Sequence, residues 1–167
     1  MKQIGGRAPC LDLLFLAYLA DRDYLFEYGW RMTCDLYMNL GTQPALAGFT
    51  NGVYFGDLPQ LQEMFEFFPE TYEIGLRNQD LSLADLSALS LRVAKVLEET
   101  VAKYWLSEEK LVAESEKIKA ICPEWSESLG QFMKYSDVLR AHGRSEREIE
   151  DILSNLRREE PDSELIE

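Results

Sequence analysis

Leu16-Ala17-Tyr18-Leu19-Ala20-Asp21-Arg22-Asp23-Tyr24-Leu25-Phe26-Glu27-Tyr28-Gly29-Trp30-Arg31-Met32-Thr33-Cys34-Asp35-Leu36-Tyr37 is the stretch whose reading decides the fold. Its first half continues an apolar pattern that begins after Pro9. Leu11, Leu14, Phe15, Tyr18, Leu19 and Phe26 recur at three- and four-residue spacing, which is the period of a helix face. Leu13, Leu16 and Ala17 widen that face, so the helix should be central and packed on more than one side. Pro9 suits a first helical turn, where its missing N–H would have no partner anyway. Gly29 suits the stop. The pattern predicts a helix from Cys10 to Tyr28. In the second half Met32, Cys34, Leu36 and Met38 alternate with Arg31, Thr33, Asp35 and Tyr37, and this period of two predicts a short strand with one buried face.

Working outward, positions 41–56 are rich in Gly, Asn, Thr and Pro and read as an ordered loop with room for a short helical turn. A helix is expected from Leu58 to Phe68, capped by Asp57, with Leu61, Met64, Phe65 and Phe68 on one face. Thr71 to Arg77 alternates and reads as a second strand, expected to pair antiparallel with the first. Ser82 and Asp85 resemble a capping box that opens a helix with Leu86, Leu89, Val93, Val96, Leu97 and Val101 as its buried stripe. Ser107 opens another helix that ends near Ile121, before Pro123, with Trp125 anchoring the chain beyond it. A short helix over Ser136–Ala141 is stopped by Gly143. Ser145 and Glu148 then form a full capping box for a last helix with Ile149, Ile152, Leu153 and Leu156 inward. The fold class expected is α+β and predominantly helical: about six helices around the central apolar N-terminal helix, with a small two-stranded antiparallel element. One domain is expected over positions 1–160, with a frayed acidic tail over 161–167.

The chain has 167 residues, 46% hydrophobic and 28% charged, and a formal charge of -13. That is enough to bury a core without disulfides. Thirty acidic residues against seventeen Lys and Arg argue against direct nucleic-acid binding, which needs a basic footprint. The same charge suits a basic protein partner, or mimicry of a nucleic acid. Cys10, Cys34 and Cys122 are odd in number and widely spaced, and read as buried free thiols rather than a disulfide framework. His142 is the only histidine, so no metal site or cofactor is expected. The apolar run Leu11–Ala20 is broken by Asp12 and is about half the length of a membrane span. Asp21-Arg22-Asp23 follows it without a cleavage pattern, so a cytoplasmic protein with no membrane partner is expected.

No phosphate loop, nucleophile elbow or dinucleotide fingerprint is present. An enzyme would have to assemble its site from Asp21, Arg22, Asp35, Tyr37 and His142, convergence that sequence does not reveal. The alternative is structural. Asp21 or Asp35 bonds backbone or an arginine, and His142 sits at the favourable end of a helix dipole.

The opening block resembles that of the Panacea domain, the SocA-like antitoxin family. There an apolar helix ends in Tyr-Leu-Ala-Asp-Arg, a glycine follows, and a strand carries Thr, Asp and Tyr. The matching positions here are Tyr18, Leu19, Ala20, Asp21, Arg22, Gly29, Thr33, Asp35 and Tyr37. Leu81-Ser82-Leu83-Ala84-Asp85, Pro123-Glu124-Trp125 and the stretch Tyr135 to Ile149 are similar to later features of that family, in the same order. The chain departs from it at Gly41-Thr42-Gln43-Pro44, where the family carries Gly-Pro-Val, and at Phe15, where it carries lysine. It also lacks the family's histidine before Pro-x-Trp. The resemblance implies a non-catalytic antitoxin that neutralises a cognate protein toxin by direct contact, in one known mode by delivering it to a protease, and the charge of -13 suits a basic toxin. Tyr24, Tyr28, Trp30, Arg31, Phe49, Tyr54 and Phe55, around the altered loop, are the candidate contacts, because aromatic and arginine anchors carry much interface energy. For Trp30, Phe49 and Phe55 a place in the core is the competing reading. The competing function is an acidic inhibitor that mimics nucleic acid and blocks a nucleic-acid-binding complex.

Overall fold

The computed structural model describes residues 6–56, 63–77, 89–105, 115–125 and 131–159. The first helix, α1 (Cys10–Tyr28), follows a short strand, β1 (Arg7–Pro9). It spans the predicted residues and stops where Gly29 turns left-handed at φ 70°, with the Gly29 N–H bonding the Leu25 carbonyl at 2.9 Å. A strand β2 (Tyr37–Asn39), a strand β3 (Pro44–Leu46) and a helix α2 (Ala47–Phe55) come next. Strands β4 (Phe65–Phe68) and β5 (Glu73–Leu76) follow. The C-terminal half adds helices α3 (Leu91–Tyr104), α4 (Ser115–Ile121), α5 (Tyr135–Ala141) and α6 (Glu146–Glu159). The fold is α+β and predominantly helical, as the sequence predicts.

Helix α1 is the hub because apolar residues surround it. Tyr18, Leu19 and Leu25 belong to a large core with Tyr104 of α3, Ile118 of α4, Val138 and Leu139 of α5, and Ile149, Leu153 and Leu156 of α6. Cys10 and Leu14 face the other way, onto Ala45, Val53, Tyr54 and Phe67. Each large side chain sealed this way is worth about 1.5–3 kcal/mol of transfer free energy. Trp125 is buried in the large core, as predicted. At α6 the capping box closes in both directions. The Ser145 N–H donates to Glu148 at 2.9 Å and the Glu148 N–H to Ser145 Oγ at 3.4 Å. The Ser145 backbone and hydroxyl together hold the Glu148 carboxyl down to about 2.

The strands differ from expectation in three respects. The stretch Leu58–Phe68 is expected to be helical; Glu63 and Met64 are, but Phe65–Phe68 is strand, and 57–62, with the expected cap Asp57, lie outside the described residues. Met64, Phe65 and Phe68 fit a helical face, but Phe65 and Phe67 also fit a period of two, and aromatic residues favour the pleated surface. Secondly, β5 does not pair with the segment after Gly29. It lies between β1 and β4, antiparallel to both, with Ala8 and Phe67 each opposite Ile74. The two-stranded element is instead β2 with β3, Tyr37 opposite Leu46. Thirdly, the predicted strand over 30–38 shrinks to Tyr37–Asn39, and its inward face is reversed: Tyr37 and Asn39 are buried, while Cys34 is exposed. Cys34 sits at φ 52°, a left-handed conformation that interrupts a ladder.

Helix α3 starts later than predicted. Ser90 caps it, its Oγ accepting from the Val93 N–H at 3.3 Å. Leu89, expected in the buried stripe, precedes the helix and is exposed, so it no longer shares the face of Val96, Thr100 and Tyr104. Ser82, Asp85 and Leu86, like Ser107, lie outside the described residues. Among the described residues no helix is long and apolar enough to cross a membrane.

Candidate functional site

Asp21 and Arg22 are neighbours on α1, about 100° apart around the helix, and each anchors a separate cluster. Asp21 is fully buried. Its carboxylate accepts from the Thr33 N–H and hydroxyl, both at 2.7 Å, and from the Tyr37 hydroxyl at 2.7 Å. These bonds bring the segment after Gly29 back along α1 and draw Tyr37 inward, which explains the reversed face. Burial raises the Asp21 carboxyl above its ordinary value, although the bonds from Tyr37 and Thr33 pull the other way. The Tyr37 ring meets those of Tyr18 and Tyr135 edge-on, with centroids 5.0 and 4.8 Å away. Tyr135 in turn donates to the Asp35 carbonyl at 2.6 Å and accepts from Arg31 at 3.1 Å. The Asp35 side chain caps α2 from twelve or so residues upstream. Its oxygens accept from the Gly48 and Phe49 N–H groups, both at 2.7 Å. A Cβ on Gly48 would stand 3.1 Å from Asp35 Oδ1, so this close approach favours glycine.

Arg22 points into the second cluster. Its guanidinium donates to the Ile121 carbonyl at 2.9 Å, to Asp23 at 3.0 Å and to Cys122 Sγ at 3.1 Å, and lies 3.5 Å from Glu124. Glu124, whose side chain is 1% exposed, accepts from Tyr18 and contacts His142 Nε2 at 2.8 Å. Burial pushes Glu124 up, but the hydrogen bonds from His142 and Tyr18 and the Arg22 charge outweigh it, and the carboxyl lies below its ordinary value. Burial likewise pushes the Cys122 thiol up, more than Arg22 pulls it down. The cluster ties α1 to the Pro123-Glu124-Trp125 turn and to the end of α5.

The five residues considered for an enzyme therefore do not converge. Asp21 meets Tyr37, Asp35 caps a helix, and Arg22 reaches His142 through Glu124 and the Phe26 ring. Among the described residues, no group of three or more His, Cys, Asp or Glu is arranged to hold a metal ion.

The candidate contacts fall in two places. On α1, the Tyr24 and Tyr28 rings lie 4.8 Å apart, with the Arg92 guanidinium from α3 5.3 Å from the Tyr28 centroid. Beside them Trp30 packs on the large core and Arg31 is engaged with Tyr135. Phe49, Tyr54 and Phe55 all lie on α2. Phe49 turns toward the core, Tyr54 is half-buried, and Phe55 stands 76% exposed. Burial and then a hydrogen bond with Cys10 push the Tyr54 hydroxyl up to about 12. Tyr54 meets Phe67 edge-on at 6.0 Å, and Phe67 meets Tyr72, which is 67% exposed, at 6.4 Å. Between α2 and the three-stranded sheet opens a groove of about 390 Å³, lined by Val53, Tyr54, Phe55, Phe65, Phe67 and Ile74, with Glu66 and Arg77 beside them.

Sequence reasoning missed Phe65, Phe67 and Tyr72 as parts of this surface, because Phe65 was assigned to a helix. The signal was present in Phe65-Glu66-Phe67, an alternation just ahead of a second alternating run. It also missed Glu124, for which nothing in the sequence signals burial. A comparison with protein-family models, with curated proteins and with solved structures returns no match.

Proposed function

We propose that this chain is an antitoxin-like binding protein that neutralises a cognate basic protein toxin by direct contact. The observation that carries the reading is the aromatic groove between α2 and the three-stranded sheet, with exposed Phe55 on its lining and exposed Tyr72 against its Phe67. Exposed aromatics beside a concave apolar surface are the usual anchors of a protein interface. A formal charge of -13 adds long-range attraction for a basic partner and speeds encounter. The resemblance of Tyr18 to Tyr37 to the Panacea opening supports the same reading, and the bonds that Thr33 and Tyr37 donate to Asp21 give that block a structural reason.

Affinity capture of the intact tagged protein from its own host, at moderate and high salt, tests the reading. The expected result is one small partner that survives high salt, arrests growth when expressed alone, and ceases to do so when this chain is co-expressed. Recovery of a large nucleic-acid-processing complex that salt releases would replace the reading with that of an acidic inhibitor. A captured partner without toxicity would overturn the antitoxin reading outright.

A further inference from the structure

Strand β4 is an edge. The sheet runs β1-β5-β4, and among the described residues no strand lies on the far side of β4. The hydrogen-bond parity of the sheet says which groups that edge presents. The Arg77 N–H bonds the Met64 carbonyl at 3.0 Å, so Met64 faces β5, and the alternation of an antiparallel ladder makes Glu66 and Phe68 face it too. Phe65 and Phe67 therefore direct their backbone groups outward. The Phe65 carbonyl already accepts from Arg77 Nε at 2.9 Å. Among the described residues, the Phe65 N–H and both polar groups of Phe67 remain on the open side.

The two faces of β4 differ. Phe67 lies with Ile74 on the inner face, beside the groove. Glu66 and Phe68 alternate with it, Glu66 reaching the rim of the groove beside Arg77, while the Arg7 guanidinium sits 3.5 Å from the Phe68 ring centroid and ion-pairs with Glu73 at 3.5 Å. Arg7 is thus committed to Glu73, while Glu66 is exposed.

We propose that the open edge of β4 takes up an extended segment of the partner, whose side chains alternate between apolar residues, seated in the groove beside Phe55, and basic residues, set against Glu66. Backbone hydrogen bonds to Phe65 and Phe67 supply the register, and the alternate side chains supply the choice of partner. An extended strand is the complement of an unpaired edge, and a cross-strand basic residue is the favourable neighbour for Glu66. The inference deepens the antitoxin reading and rests on it for the partner's identity.

Short random peptides displayed on phage and selected on the intact chain test it, followed by synthesis of the enriched sequence. Enrichment of alternating apolar and Lys/Arg positions is expected. The peptide should slow hydrogen exchange at the Phe65 and Phe67 amides. Glu66→Lys, a change at an exposed side chain, should weaken the basic peptide about tenfold and improve its Glu-substituted counterpart. Phe55→Ser should weaken both. Failure to enrich such a pattern, or binding indifferent to both substitutions, overturns the inference. So does slow exchange at those two amides in the free chain, which would mean that the chain covers its own edge. A dimer in sedimentation that Glu66→Lys alters would assign the edge to a second copy. Peptide binding without a toxic partner would leave the edge site standing and the antitoxin reading fallen. A toxic partner bound equally well by Glu66→Lys and Phe55→Ser would do the reverse.

Discussion

The end of α1 and the end of α2 handle their reactive-looking residues in opposite ways. At the end of α1, Asp21 and Arg22 are removed from solvent and every bond they make is internal. At the end of α2, Phe55 is left in solvent beside an aromatic-lined groove and the edge of β4 that is open among the described residues. A buried charge is tolerable only with partners in place, so the first region reads as a pair of fasteners. An exposed aromatic buries little of itself in the fold, so the second is the surface we propose is kept for another molecule. Asp21 and Arg22, which draw the eye in the sequence as chemistry, are held within the fold by their own hydrogen bonds.

The contrast breaks if the α1 cluster can be removed cheaply. Arg22→Met leaves the Glu124 carboxylate buried without its cation, and should cost about 3–5 kcal/mol in urea denaturation. Asp21→Ala strips three hydrogen bonds from Thr33 and Tyr37 and should cost about 3 kcal/mol in the same assay. A loss below about 1 kcal/mol at both positions would refute the fastener assignment.

Acid titration sharpens the same point. Glu124 has a folded value below the ordinary 4.5, so its contribution is complete above 4.5 and is lost as pH falls through the folded value. Asp21 has the opposite sign: raised above 3.8 in the folded state, it favours folding more as pH falls through its folded value. Glu124→Gln should therefore flatten the acid-side fall in stability measured by denaturation across that range. Asp21→Asn should steepen it.

Two further substitutions bracket the small end. Asp35→Ala removes the cap from α2 and should cost about 1–2 kcal/mol while leaving the α1 clusters intact. Phe55→Ser should change stability by no more than about 0.5 kcal/mol, because the side chain is already in solvent. Its effect should appear only in partner binding.

The helices were largely legible because their signals are local. The 3.6-residue period, Pro9, Gly29 and the Ser145–Glu148 box each act within a few residues, and α1 and α6 follow them. The strands were not, because pairing is non-local. Nothing within Thr71–Arg77 says that Arg7–Pro9 will lie beside it. Phe65-Glu66-Phe67-Phe68 satisfies two periods at once, and the neighbouring β5 decides between them. The buried face of 31–38 was misjudged for a related reason. Hydrophobicity favours Met and Cys inside, but the Asp21 carboxylate, twelve to sixteen residues earlier, needs Thr33 and Tyr37 more. Of the candidate contacts, aromatic content singled out Phe49, Tyr54 and Phe55, which lie on α2. It could not tell that Phe49 turns inward and Phe55 outward, nor that Tyr72, in the turn between β4 and β5, meets Phe67.

The most direct test is the dissociation constant of the captured partner for the wild-type chain, Phe55→Ser and Tyr28→Ala, by calorimetry on folded protein. Weakening by about tenfold in Phe55→Ser, with Tyr28→Ala within about twofold of wild type, is the predicted result. The reverse order would place the interface on α1 and contradict the assignment of binding to the α2 groove.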